Sequence, residues 1–221
     1  IGGSDDDGVL QAAKVFAALL EKGDTVKLGW LMKIKLGEGM KPPAVGETVY
    51  SWRDSYRKLP NGRKVGYAPA TFFGWNPISI YGALYYMTGR KEYLDEFKKL
   101  AMPDPNNIPE PLRTDDAFND PLNPLVDNYH YRAHLVDCVW DLIEESPLFT
   151  DEERLRITNG LLEHQNFYDP QDKFCRPHGS RHDMWHMLCI YTGSRYFGKY
   201  YPDPRWQKRI ENVRKAFYSW I

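Results

Sequence analysis

The sequence predicts a mainly α protein, in which repeated helical hairpins form an incomplete ring behind a small N-terminal α/β element. Three observations predict this. Apolar residues recur at helical spacing over most of the second half. Helix-start signals recur at similar spacing, and Thr-Gly pairs recur where helices would end. The first 36 residues have a different pattern, with one helix flanked by strand-like runs.

The elements follow in order. Ile1-Gly2-Gly3-Ser4 reads as the end of a strand belonging to a preceding domain. Between Gly8 and Gly23, Val9, Ala12, Ala13, Phe16, Ala17, Leu19 and Leu20 follow helical spacing. Asp5 to Asp7 supply caps and negative charge at its start, and Gly23 ends it. Thr25 to Trp30 reads as a short strand, so residues 1–36 form the α/β element. Residues 37–70 are rich in Gly and Pro and form an irregular connection carrying Trp52, Arg53, Tyr56 and Tyr67.

Residues 71–221 hold the hairpins. Trp75-Asn76-Pro77 and Leu122-Asn123-Pro124 each place an N-cap Asn before a Pro suited to the first turn, 47 residues apart. Thr88-Gly89 and Thr192-Gly193, 104 residues apart, each read as a helix end with Gly past the C-cap. The predicted hairpins pair 76–88 with 91–100, 124–145 with 151–166, and 181–192 with 204–220. Thr150-Asp151-Glu152-Glu153 is a capping box that fixes the start of the second return helix. The first helix of each pair is the more apolar and is expected inside. Amphipathic helix still runs at Ile221, so the ring is expected to be truncated, with the remainder of a parent chain as its partner.

The totals exclude some classes. The formal charge is −1, from 29 basic and 30 acidic residues, which gives no basic footprint for nucleic acid. No apolar run reaches membrane-span length; no signal peptide is present, which excludes nothing if the chain is a fragment. Three cysteines are too few and too odd for a disulfide framework; Cys138 and Cys189, in apolar helical stretches, are expected to be buried. Aromatics make up 14% of the chain, with 15 Tyr and 7 Trp. They suit a core of large side chains, a groove that stacks on sugars, or both.

The Trp-Asn-Pro helix start, the Thr-Gly turn followed by Tyr, and Asn128-Tyr129-His130-Tyr131 resemble the (α/α)-toroid superfamily of carbohydrate-active proteins. The nearest group is the heparinase and alginate-lyase type of polysaccharide lyase, and the resemblance covers roughly residues 68–221. It implies an incomplete (α/α) toroid, a cleft at one end of the barrel, an acidic polysaccharide or oligosaccharide as partner, no cofactor, and a periplasmic or extracellular location. It also implies β-elimination: a group neutralises the uronate carboxylate, a base takes the adjacent proton, and an acid serves the leaving oxygen.

Two clusters carry the candidate chemistry. In the first, Asn128 would meet the carboxylate with Arg132 assisting, while Tyr129, His130 or Tyr131 moves the proton. In the second, Ser180 caps the third inner helix, and Arg181, His182 and Asp183 fill its first turn. Four of the six histidines fall in these two helices, and His suits proton abstraction near neutral pH. Substrate stacking falls to Trp52, Tyr67, Trp75, Tyr81 and Trp185, with Arg181 as a charged contact. Alternatives remain open. Asp127 and Asp183 could serve a glycoside hydrolase. His130, His134, His182 and His186, two pairs at i, i+4, could bind a metal. The domain could also bind glycan without catalysis.

Overall fold

Asn76 starts the first hairpin because its side chain accepts from the backbone N–H of Ser79 at 2.8 Å while Ser79 Oγ accepts from Asn76 N at 3.0 Å. This closed capping box, with Pro77 in the first turn, satisfies two donors that a helix start leaves orphaned. The computed structural model describes residues 5–20, 34–46, 75–114, 118, 120–126, 130–168, 175 and 180–219, with only the backbone at 19, 130 and 131. These residues are mainly helical, with helices α1 (Asp6–Leu20), α2 (Pro77–Thr88), α3 (Lys91–Ala101), α4 (Glu110–Thr114), α5 (His130–Ile143), α6 (Asp151–Asn166), α7 (Arg181–Tyr200) and α8 (Pro204–Tyr218). The expected strand Thr25–Trp30 lies outside the described residues, as does most of the connection 37–70.

The chain divides into two compact units, Ile1–Met32 and Lys33–Ile221. In the first, Asp5 caps α1: its Oδ1 accepts from Gly8 N at 2.7 Å.

In the second unit, α5 packs on both α2 and α7, while α3 packs on α2, and α6 and α8 pack on α7. Pair positions rise together along neighbouring helices. A side chain at Gly82 would meet Val139, and Tyr85 meets Ser146 at 2.8 Å. His134 lies against Trp185, Trp140 Nε1 donates to Tyr196 Oη at 3.0 Å, and Lys199 pairs with Asp141. So α2, α5 and α7 run parallel and begin at the same end. The helices α3, α6 and α8 pack against this row and turn charged faces outward.

The aromatic surplus is largely core. Phe97 stacks on Trp140 with Phe149 edge-on to both, and Phe197 stacks on Trp206 at 5.1 Å. Burying each such ring contributes about 1.5–3 kcal/mol. Tyr81 belongs here too: it is 2% exposed, stacks on Tyr93, and its hydroxyl accepts from Gly46 N at 2.9 Å. With no exposed face it offers no sugar platform, which corrects its assignment to substrate binding.

Three further expectations need correction. Thr88-Gly89 does end α2, with Gly89 at φ 68°, but Thr192-Gly193 ends nothing, because α7 runs unbroken for 20 residues from Arg181 to Tyr200. Gly193 is there because the Gln165 side chain of α6 lies against it; an added Cβ would fall 2.1 Å from Gln165 Nε2. Second, Asn123-Pro124 opens a turn and not a helix. Its amide donates to Asp120 Oδ2 at 2.7 Å and Asp120 Oδ1 takes Leu122 N, so residues 121–126 form turns, and the described part of α5 runs from His130. Third, Cys138 is exposed, while Cys189 is buried as expected. The buried stripe of α5 runs through Ala133, Val136, Asp137 and Trp140, and Cys138 faces away from it.

Candidate functional site at parallel helix starts

Helices that run parallel put their N-terminal partial charges side by side, where they favour an anion. At this end Ser180 starts α7. Its Oγ accepts from Asp183 N at 3.3 Å, and Asp183 Oδ2 accepts from Ser180 N at 2.7 Å. The Asp183 carboxylate is buried and fixed by this box. His182 and Arg181 are exposed, and Trp185 and His186 are half-buried. Trp75, beside the α2 cap, is 37% exposed.

From α5, the His134 ring sits 5.5 Å from the Trp185 ring. Burial pushes its pKa down to about 4, so the imidazole stays neutral. Arg132 in the first turn is wholly buried, with its guanidinium 5.8 Å from the Phe118 ring.

The end of α6 adds residues that sequence reasoning missed. His164 Nδ1 donates to Val126 O at 2.8 Å, which leaves Nε2 as acceptor, 3.4 Å from Tyr168 Oη. The Tyr168 ring meets His164 edge-on at 5.4 Å and His186 at 6.0 Å. His186 Nδ1 in turn donates to His182 O at 2.8 Å. Burial holds the Tyr168 hydroxyl well above its usual range, so it stays protonated. Below this layer, Asp137 is buried. Its Oδ2 lies 3.3 Å from Gln165 Nε2 and 3.2 Å from Thr192 Oγ1, and burial raises its pKa to about 8. The missed signal was polar residues on apolar stripes: His164 and Gln165 continue the buried positions Ile157 and Leu161 at helical spacing, and Asp137 sits between Val136 and Trp140.

The structure therefore brings together His134, Trp185, His186, Tyr168 and His164 near the α7 start carrying Arg181, His182 and Asp183. Asp127, Asn128, Tyr129, Trp52 and Tyr67 lie outside the described residues, as do the side chains of His130 and Tyr131. Among the described residues no three His, Cys, Asp or Glu side chains converge as metal ligands, and no helix is long and apolar enough to cross a membrane. No family model, curated protein or solved structure matches this chain.

Proposed function

We propose that the hairpins form part of an (α/α) toroid that cleaves a uronate-containing glycan by β-elimination at the common start of α5 and α7. One observation carries this reading. Two parallel helices begin at the same end, and the His134 ring of one lies 5.5 Å from the Trp185 ring of the other, with Arg132 buried and His182 exposed in their first turns. Such an end suits a carboxylate ligand.

The division of labour follows from burial. Asn128 meets the uronate carboxylate, with the charge of Arg132 acting from below. Neutralising that carboxylate acidifies the neighbouring C–H. His182, exposed at the rim, takes this proton, or Tyr129, His130 or Tyr131 does so from the α5 side. The electron pair forms the new C=C bond as the glycosidic C–O bond breaks, and the leaving oxygen takes up a proton. Trp185, backed by His134, offers a ring to a sugar face, and Trp75 and Arg181 extend the cleft.

Incubating the protein with uronic-acid polymers tests the proposal. New ultraviolet absorbance from an unsaturated product supports it, and His182→Ala and Asn128→Ala should each lower the rate by about 10²-fold or more. Reducing ends without that absorbance would overturn it in favour of hydrolysis.

A further inference from the structure

A second feature lies further along the last hairpin. Between Arg181 and Ser219 the chain has eight basic and three acidic residues, a formal charge of +5 in a chain whose total is −1. Part of this excess lines a groove of about 600 Å³ between the C-terminal half of α7 and α8, bounded by Arg195, Lys199, Asp203, Trp206 and Arg214. Its charges are unequal in availability. Asp203 is occupied: it caps α8 and pairs with Arg205 at 3.1 Å. Lys199 pairs with Asp141 at 2.9 Å. Arg195 and Arg214 are exposed and have no ion pair among the described residues; Arg195 rests against the Tyr191 ring. The floor is rigid. Gly198 lets α7 approach α8 so closely that an added Cβ would stand 3.3 Å from Trp206 Cβ, and Trp206 is itself buried.

We propose that this groove is a binding site for a short oligoanion whose charged groups are taken by the Arg195 and Arg214 guanidinium forks. Guanidinium suits planar, two-pronged contact with carboxylate, sulfate or phosphate. With Asp203 neutralised by Arg205, two cations remain in the groove without a local counter-charge. A single-stranded nucleic acid fits less well, because Trp206 is buried and offers no face for base stacking. The proposal stands apart from the elimination reaction, since none of these residues belongs to the cleft.

Calorimetric titration of the protein with tetragalacturonate, and separately with tripolyphosphate, tests it. Binding of either ligand is expected to weaken at least about tenfold in the double variant Arg195→Gln/Arg214→Gln, since each lost charge-assisted contact is worth roughly that factor. It is also expected to weaken as salt rises from about 0.1 M to about 1 M, because the screening length falls from about 10 Å to about 3 Å. Both side chains are exposed, so the variant should keep the wild-type circular dichroism and melting temperature. Response to one ligand alone assigns carboxylate or phosphate chemistry, and response to both assigns a general oligoanion site. No binding of either, or binding that the double variant retains, overturns the proposal.

Discussion

Gly193 and Gln165 occupy each other's space: a methyl group at Gly193 would overlap the Gln165 amide, 2.1 Å from Nε2 and 2.2 Å from Cδ. Gln165 cannot easily retreat, because Nε2 donates to Cys189 O at 3.1 Å and reaches Asp137 Oδ2 at 3.3 Å. Two effects compete in Gly193→Ala. Helix propensity favours Ala by about 1 kcal/mol. Overpacking a buried contact costs about 1–3 kcal/mol, and displacing Gln165 also breaks its bonds. The substitution should therefore destabilise, which denaturant unfolding would read directly. A stabilised variant would mean that α6 and α7 do not meet as described.

Asp137 makes stability depend on pH. Its folded pKa is raised to about 8 by burial, against an ordinary value of 3.8. The unfolded carboxyl ionises first, so this group's contribution is fully present below about pH 4 and is lost as pH rises towards 8. Asp137→Asn should remove that slope and be more stable than wild type at pH 9. Unfolding curves at several pH values check this.

His134, three residues earlier on the same helix, works in the opposite direction. Burial lowers its pKa from 6.5 to about 4. The unfolded imidazole binds its proton first, so stability is present above about pH 6.5 and is lost as pH falls towards 4. Proton NMR titration should show this histidine unchanged between pH 8 and pH 5. A midpoint for His134 near 6.5 would mean that its ring is wetted.

Removing the Thr150 hydroxyl should cost about 1 kcal/mol, the usual value of a lost N-cap. Thr150 Oγ1 accepts from Glu153 N at 3.1 Å, and Glu153 Oε2 accepts from Thr150 N at 2.9 Å. Glu153 also pairs with Lys98 of α3 at 2.7 Å. Glu153→Gln should therefore lose more than Thr150→Ala in low salt and converge towards it in high salt. Thermal melts at two ionic strengths would separate the two terms.

Local signals in the sequence specified the helices that have strong caps. Asn76, Thr150 and Ser180 start helices where side-chain chemistry predicted, because a cap is decided within four residues. Thr192-Gly193 misled because a glycine has two uses, ending a helix at positive φ or letting a neighbour approach. Only the position of Gln165, 28 residues earlier, decides between them. Asn123 misled for a similar reason, since Asp120 competed for its side chain. At the site, the pairing of the α5 and α7 histidine-bearing starts was legible from helix order. Tyr168 and His164 were not, because they reach the site by the packing of α6 on α7, which no short motif encodes.

Because α7 does not break at Gly193, it works as a ruler. Its 20 residues span about 30 Å as one rod. His182 and Arg195 stand thirteen positions apart on it, a separation of about 20 Å along the axis. Whatever binds at one end cannot change that spacing without bending a helix clamped by α5, α6 and α8.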